Sequence, residues 1–203
     1  MKKPNFFIIG GPKCGTTSIY QYLRKHPSIF MPEIKGPHYY ATDLGDYRPI
    51  KSYRDYLKLF DRVNNNHKAV GEASVLYLFS RDAAKSLHNS YPDAKIIILI
   101  RNPIEVARSW HNEVIWGFKE KIKNFNEAIR ISHHENYKKQ FTNEPAPQIF
   151  NYNQIAMFGE QIEEYYRYFS KSQILIINFD DFYSNAREVH EQILRFLGLG
   201  KDK

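Results

Sequence analysis

The stretch Phe6-Phe7-Ile8-Ile9-Gly10-Gly11-Pro12-Lys13-Cys14-Gly15-Thr16-Thr17-Ser18 decides the fold. Its first four residues form an unbroken apolar run, which is typical of a strand buried on both faces of a parallel sheet. The glycines that follow predict a tight turn, and the apolar spacing after Thr16 predicts a helix to about residue 25. Because such a turn aims backbone N–H groups at one point near a helix N-terminus, the stretch predicts a phosphate-binding loop.

The rest of the chain alternates strand-like and helix-like segments. Further strands are predicted at residues 69–71, 95–100 and 173–179, and further helices at 53–60, 80–89, 103 onward, 152–169 and 187–197. Residues 28–50 are predicted to be largely loop, and the polar residues 119–150 a mobile or substrate-side insertion. This alternation predicts an α/β fold with a P-loop-like open parallel sheet flanked by helices, in one domain covering residues 1–203.

Composition narrows the class of partner. The net charge of +7 favours anionic partners such as nucleotides, nucleic acids, or sulfated or phosphorylated substrates. No nucleic-acid-binding motif is present, so we predict no nucleic-acid partner. A single cysteine excludes an internal disulfide bond. No apolar run is long enough to span a membrane and no signal-peptide pattern follows the N-terminus, so we expect a cytoplasmic protein without membrane insertion.

The loop differs from the loop of nucleoside-triphosphate enzymes. Gly10 and Gly15 have the required spacing, but Thr16 occupies the position of the lysine that reaches the β- and γ-phosphates. The nearest lysine, Lys13, lies inside the loop. A kinase must neutralise a triphosphate and hold Mg²⁺, so this loop favours a single phosphate and we predict no metal site. A nucleotide kinase, with Asp180 as a metal-binding carboxylate at a strand end, is an alternative.

A second anion-binding position follows the strand at residues 95–100. Arg101 stands at the end of that strand, where open α/β sheets bind ligands. Asn102 and Pro103 are typical of a helix start, with Glu105 placed to complete a capping box. Ser109 lies two turns into this helix. A guanidinium and a hydroxyl at these positions can bind a phosphate together.

These two segments resemble one family. The loop at residues 11–18 resembles the 5′-phosphosulfate-binding loop of sulfotransferases that use 3′-phosphoadenosine 5′-phosphosulfate (PAPS), in the branch of bacterial and heparan sulfate sulfotransferases. Residues 101–110 are similar to that family's 3′-phosphate motif. The resemblance, which covers nearly the whole chain, implies that PAPS is bound by Pro12, Lys13, Cys14, Gly15, Thr16, Thr17, Ser18, Arg101 and Ser109.

The same resemblance implies catalytic roles. Residues 35–40 are similar to the family's Lys-Glu-x-His-aromatic-aromatic segment, and residues 71–74 to its Gly-Glu-x-Ser segment. Charge that develops on the leaving oxygen needs a cation, for which we predict Lys13, and the resemblance implies that Lys35 holds the sulfonate oxygens. The heparan-type relatives have a glutamate as the proposed base, where this chain has Gly36. His38, Glu72 and Glu33 are the replacement bases available, and the unperturbed pKa of histidine, about 6.5, suits this role.

The resemblance therefore implies an enzyme that transfers a sulfonate group from PAPS to a hydroxyl or amine and releases adenosine 3′,5′-bisphosphate (PAP). The acceptor is expected to be a small molecule or a carbohydrate, which the sequence does not identify, and the oligomeric state is left open. Gly36 and the end of the chain soon after Leu199 raise the alternative of a non-catalytic nucleotide- or polyanion-binding module, or of a truncated protein.

Overall fold

The computed structural model describes residues 3–117 and 119–200. Its strands form one parallel sheet in the order β2-β3-β1-β4-β5. The strands are β1 (Phe6–Gly10), β2 (Ile29–Phe30), β3 (Ala69–Ala73), β4 (Lys95–Ile100) and β5 (Ile174–Asn178). The predicted α/β fold with an open parallel sheet is confirmed.

The sheet is built around its most apolar strand. Every residue of β1 is buried, and β1 pairs with β4 from Phe6 opposite Lys95 to Gly10 opposite Leu99. On its other side β1 pairs with β3. A strand enclosed by neighbours and covered on both faces has no polar side to present, which explains its continuous apolar run.

Helices cover the two faces of this sheet. They are α1 (Thr16–Arg24), α2 (Tyr53–Lys58), α3 (Ala83–Ser90), α4 (Pro103–Trp116), α5 (Phe125–Ile131), α6 (Glu135–Lys138), α7 (Phe158–Tyr166), α8 (Phe179–Ser184) and α9 (Ala186–Leu197). Among the described residues, none of these helices has the length and apolar character needed to cross a membrane.

Two of the predicted helix boundaries are set by local chemistry. The side chain of Asn102 accepts hydrogen bonds from the N–H groups of Ile104 and Glu105, which confirms it as the N-cap of α4. Glu105 does not complete a capping box, because its carboxylate binds Arg101 instead. Helix α9 ends at Gly198, whose φ of 78° is the left-handed conformation that favours glycine.

Three predicted segments differ from the structure. Residues 28–50 contain the short strand β2 and a 3₁₀ segment, Thr42–Tyr47. The helix predicted over residues 152–169 begins only at Phe158, because the preceding residues form a separate 3₁₀ turn, Gln154–Ala156. A two-residue strand is too short for a period-two pattern, and amphipathic spacing continues smoothly through a 3₁₀ turn, so neither boundary is visible in the sequence.

Residues 119–150 are packed rather than mobile, and their predicted place on the substrate side stays a prediction. The segment contains α5 and α6, and the buried carboxylate of Glu120 accepts hydrogen bonds from the hydroxyls of Tyr137 and Tyr152. Phe141 stacks on Phe150 with ring centroids 3.9 Å apart. Buried aromatic rings around a satisfied carboxylate attach this polar segment firmly to the domain.

The strand order also defines where a ligand binds. Strands β2 and β3 lie on one side of β1, and β4 and β5 lie on the other. The direction of winding therefore reverses between β1 and β4. In open α/β sheets the crevice beyond the carboxyl ends of such strands is the usual ligand site. Here those ends lead directly into the loop after Gly10 and to Arg101.

Candidate active site

The loop between β1 and α1 has the backbone of an anion-binding turn. Lys13 and Gly15 both have positive φ angles, 64° and 83°. Gly15 is the N-cap of α1, and no side chain caps the helix and no acidic residue lies in its first turn. The N–H groups at the start of α1 are therefore available to an anion, and the helix dipole adds partial positive charge there.

Glycine is required at two positions in this loop because neighbouring elements pack against its backbone. A Cβ atom on Gly10 would lie 2.6 Å from the carbonyl oxygen of Leu99 in β4. A Cβ atom on Gly11 would lie 2.5 Å from the ring of Phe158, the first residue of α7. The loop is thus held between β4 and α7, which fixes its shape before any ligand binds.

Some of the other loop residues are buried within the loop, whereas others are exposed to solvent. Cys14 is fully buried, and its thiol contacts the carbonyl oxygen of Pro12. Burial raises the pKa of Cys14 to about 12, against a smaller lowering effect of Arg101, so the thiol stays protonated. Thr16 is buried, whereas Thr17 and Ser18 are exposed at the start of the helix. Backbone N–H groups and hydroxyls, rather than the thiol, are the donors that this loop offers.

Two lysines approach the start of α1. The ammonium group of Lys35 donates to the hydroxyl of Thr16 at 3.3 Å, although the two residues lie on different segments. Burial lowers the pKa of Lys35. Lys13 projects from the loop, and its ammonium lies 3.0 Å from the carboxylate of Glu113. The structure therefore brings both predicted lysines to the phosphate loop.

Arg101 lies beside the same loop. Its guanidinium donates to the carbonyl oxygen of Lys13 at 3.5 Å and lies 4.5 Å from the centroid of the Phe179 ring. Glu105 accepts a hydrogen bond from it at 2.8 Å. Ser109 is one helical turn beyond Glu105, so it occupies the same face of α4. The predicted second anion-binding position thus adjoins the first.

His38 occupies the space that a side chain at position 36 would enter. A Cβ atom on Gly36 would lie 3.1 Å from Nε2 of His38, and Gly36 itself has a φ of 76°. The backbone N–H of His38 donates to the hydroxyl of Ser74 at 3.0 Å. Burial, and secondarily the charge of Lys35, lowers the pKa of His38 to about 4. The imidazole is therefore neutral at neutral pH.

Glu72 and Glu33 lie away from this cleft. Glu72 is fully buried and accepts hydrogen bonds from Tyr77 at 2.8 Å and Tyr56 at 3.4 Å. Burial raises the pKa of Glu72 to about 7. The Tyr77 hydroxyl also accepts the N–H of Tyr40, so Glu72 supports the 38–40 backbone from behind. Glu33 pairs with Arg62 at 2.6 Å, and both side chains are exposed.

Two carboxylates beside these cations were not predicted from the sequence to belong to the site. Glu105 and Glu113 lie four residues on either side of Ser109, on one face of α4. Glu105 pairs with Arg101, and Glu113 pairs with Lys13. The four-residue spacing was visible in the sequence, but the ion pair between Lys13 and Glu113 joins residues that are distant in the chain and required the fold.

The family model described as a sulfotransferase domain matches residues 3–203. The chain belongs to the sulfotransferase family. The resemblance inferred from the phosphate loop and the Arg101 segment is therefore confirmed. Phosphate-loop geometry alone does not distinguish a sulfotransferase from a nucleotide kinase, whereas a match over nearly the whole chain favours sulfonate transfer.

Similarity to individual sulfotransferases supports this assignment to the family. The chain is 26% identical over 97% of its length to mouse (Mus musculus) carbohydrate sulfotransferase 15, of which it spans 44%. It is also 26% identical to the mouse bifunctional heparan sulfate N-deacetylase/N-sulfotransferase 4, with 97% of this chain and 22% of that protein covered. A sulfotransferase structure from Alicyclobacillus acidocaldarius superposes with a TM-score of 0.88 at 30% identity, covering 100% of this chain and 84% of that one. The chain thus spans less than half the length of these two curated relatives.

Proposed function

We propose that this sulfotransferase transfers a sulfonate group from PAPS to a hydroxyl or amine and releases PAP. The observation that carries the proposal is the position of Lys35 and Arg101 beside the loop that leads into the uncapped N-terminus of α1, a loop that itself contains Lys13. Three cations around one helix start favour a ligand with several negative charges. A bisphosphorylated nucleotide bearing a sulfonate meets this requirement.

The two ends of the donor fit different parts of the site. The first turn of α1, with Thr16, Thr17 and Ser18, offers N–H and hydroxyl donors to the 5′-phosphosulfate. Arg101 and Ser109 are proposed to bind the 3′-phosphate, for which the guanidinium provides paired N–H groups. Glu105 forms an ion pair with Arg101 in this structure. The pair must therefore rearrange before Arg101 can bind the 3′-phosphate of the donor.

The lysines supply the positive charge that the reaction needs. When the bond between sulfur and the bridging oxygen breaks, negative charge develops on the 5′-phosphate of the leaving PAP. Lys13 is proposed to meet that charge from the loop, and Lys35 to hold the sulfonate oxygens beside Thr16. Cations fixed in place before the reaction stabilise such charge most effectively.

His38 and Glu72 are proposed to have different roles in catalysis. His38 presents a neutral imidazole next to Gly36, where it can hydrogen-bond the acceptor group. Glu72 has no exposed surface, so it is proposed to act as a positioning residue through Tyr77 and the backbone of residue 40.

A cavity with a mixed polar and apolar wall, connected to the phosphate loop through α7, favours a carbohydrate acceptor. Its volume is about 690 Å³, and its wall includes Asp43, Arg81, Gln148, Gln154 and Glu160 together with the ring of Phe79. Met157 also lines it, and the next residue, Phe158, contacts the phosphate loop at Gly11. Carboxylate, amide and guanidinium groups beside an aromatic ring provide the hydrogen bonds and flat contact that sugar rings use.

Calorimetry with PAP tests donor binding directly. We expect PAP to bind equally well with Mg²⁺ and with EDTA, and we expect Arg101→Ala to weaken binding about 10- to 100-fold through loss of charge-assisted hydrogen bonds. Arg167→Ala, which removes an exposed arginine on the far end of α7, is the control. Binding of ATP that depends on Mg²⁺, without binding of PAP, would instead support a kinase.

Turnover distinguishes an enzyme from a binding module. The assay supplies labelled PAPS with a panel of sugars, amines and phenols and follows the sulfated product. Transfer to at least one acceptor is the expected result. Tight PAP binding without transfer to any acceptor, and without release of sulfate from PAPS, would favour the non-catalytic alternative.

Cytoplasmic localisation is proposed from the sequence alone. Fractionation of the native host with an antibody against the chain tests it. Recovery of the chain with the membrane fraction after a high-salt wash would contradict the proposal, because the wash releases proteins held there only by their charge.

A further inference from the structure

One exposed carboxylate is paired with the lysine of the phosphate loop. Glu113 lies on α4, and its side chain is 58% exposed. Its Oε2 atom is 3.0 Å from the ammonium of Lys13. Wherever Lys13 meets the leaving oxygen of the donor, the Glu113 carboxylate is therefore within one side-chain length of the reacting centre.

The charge of Glu113 also acts on a residue that packs beside His38. Tyr47 belongs to the 3₁₀ segment Thr42–Tyr47, and its ring centroid is 5.8 Å from that of His38. Burial raises the pKa of Tyr47, with the negative charge of Glu113 as the second cause. Glu113 thus contacts Lys13 directly, and its charge acts on Tyr47, whose ring packs beside His38.

The other candidate bases are less suited to removing a proton. Glu72 is fully enclosed, so no acceptor reaches it. Glu33 is engaged by Arg62 on the outer surface. His38 is 7% exposed and lies beside Lys35, whose positive charge opposes protonation of the imidazole. Accepting a proton leaves the exposed Glu113 carboxylate neutral, whereas it would leave the buried His38 imidazole positively charged beside Lys35.

We propose that Glu113 is the catalytic residue that takes the proton from the acceptor. The inference rests on the proposed sulfonate transfer. An acceptor oxygen or nitrogen forms a bond to sulfur while the bond from sulfur to the bridging phosphate oxygen breaks. The electron pair of the broken bond stays on PAP, next to Lys13, and the acceptor's proton passes to the Glu113 carboxylate. No oxidant, reductant or metal ion is needed for this balance.

The test compares acceptors that do and do not need a base. A sugar hydroxyl must lose its proton during transfer, whereas 4-nitrophenol is largely ionised in mildly alkaline solution. We expect Glu113→Gln to lower transfer to a sugar hydroxyl about 100-fold or more, in line with the usual contribution of a general base, and transfer to 4-nitrophenol much less. Glu113→Asp should recover part of the loss because it keeps a carboxylate.

Two controls separate this role from a structural one. Glu163→Gln removes an exposed carboxylate on α7 and should leave both transfers unchanged. PAP affinity of Glu113→Gln should stay the same or rise, because the variant removes a competitor for Lys13. Equal losses with both acceptors, or a fall in PAP affinity, would show that Glu113 only holds Lys13 in place and would overturn the proposal.

One further outcome would identify His38, rather than Glu113, as the base that takes the acceptor's proton. If His38→Ala abolishes transfer to the sugar hydroxyl but not to 4-nitrophenol, while Glu113→Gln is active with both, His38 is the base and the proposal is wrong. Failure of the unmodified chain to bind PAP or to transfer sulfonate to any acceptor is a separate result, which rejects the proposed function and this inference with it.

Discussion

The carboxyl group of Glu72 is placed where a charged group is costly. It has no exposed surface, and only tyrosine and serine hydroxyls are available to solvate it. Such a group gains a proton more readily in the folded protein than in the unfolded chain. Because the same hydroxyls fix the backbone of residues 38 and 40, this cost is tied to the shape of the active site.

Glu72 makes stability depend on pH. Burial raises its pKa from 4.5 to about 7, so the stabilising contribution of its bound proton is complete below pH 4.5 and is lost as the pH rises through 7. The loss amounts to about 3 kcal/mol, since one pKa unit corresponds to roughly 1.4 kcal/mol. Glu72→Gln, which stays neutral, should lack this loss.

Urea unfolding of both proteins across this pH range measures the difference. The free energy of unfolding of the variant is subtracted from that of the parent at each pH. This also removes the contribution of His38, whose pKa is lowered to about 4 and which makes stability rise, rather than fall, with pH. A constant difference in the free energy of unfolding from pH 4.5 to pH 8 would contradict the raised pKa.

Lys13 is predicted to contribute mainly to turnover. Its charge is needed when the leaving oxygen becomes negative, so Lys13→Ala should lower kcat about 100-fold or more while it weakens PAP binding less than about 10-fold. Steady-state rates and calorimetry provide the two quantities. Lys85→Ala, at an exposed position on α3, is the control and should change neither. An unchanged kcat in the Lys13 variant would remove this residue from the mechanism.

Single residues were predictable where their role follows from local sequence. Lys13 and Arg101 stand next to apolar strands, and the structure places both at the carboxyl ends of β1 and β4. The positions of His38 and Glu113 depend on contacts between distant segments. The sequence shows that Gly36 lacks the relatives' carboxylate, but only the folded backbone, with positive φ at both Gly36 and His38, shows that the His38 ring lies beside it.

Among the secondary-structure elements, the contact between the phosphate loop and α7 offers a direct test. A Cβ atom on Gly11 would meet the Phe158 ring at 2.5 Å, so Gly11→Ala must displace either this ring or the start of α7. We expect a loss of about 1–3 kcal/mol in stability, as for other overpacked sites, and weaker PAP binding.

Two further variants give this prediction its controls. Adding Phe158→Leu to Gly11→Ala should recover part of the PAP affinity because the shorter side chain relieves the contact. Gly159→Ala, the next position in α7, meets no atom within 4 Å and should be neutral or slightly stabilising. Chemical denaturation and calorimetry report both effects. A fully stable Gly11→Ala that binds PAP normally would contradict the packing.

Elements were predictable in proportion to the strength of their pattern. The strands β1 and β4 and the helices α1 and α4 begin at the predicted residues because apolar runs, glycine and an asparagine cap mark them. The segment at 119–150 was misjudged, since its polar composition conceals aromatic residues that pack around Glu120. Composition averages over a segment, whereas packing depends on which few side chains turn inward.

For the whole molecule, donor binding should appear as thermal stabilisation. PAP at about 100 times its dissociation constant adds about 2.7 kcal/mol to the folded state, which corresponds to a rise in Tm of roughly 5–10 °C for a chain of this size. EDTA should not reduce the shift. Adenosine 5′-monophosphate, which lacks the 3′-phosphate proposed for Arg101, should produce a smaller one. Equal shifts with both nucleotides would count against that position.

The strand order was beyond prediction from the sequence. The class of fold follows from alternating strands and helices, but the order β2-β3-β1-β4-β5 depends on which edge each later strand joins. The sequence does not show whether a later strand pairs with β3 or with β4. The crevice was nevertheless expected at strand carboxyl ends, because that location holds for open α/β sheets of any order.

The buried thiol in the phosphate loop provides an intrinsic probe of how often this loop opens. Because Cys14 is the chain's single cysteine and has no exposed surface, a reagent such as 5,5′-dithiobis(2-nitrobenzoate) can react only during moments when the turn opens. The colour released per second then measures the frequency of opening without any introduced label. Saturating PAP should slow that colour change, and a rate indifferent to the nucleotide would mean that it binds elsewhere.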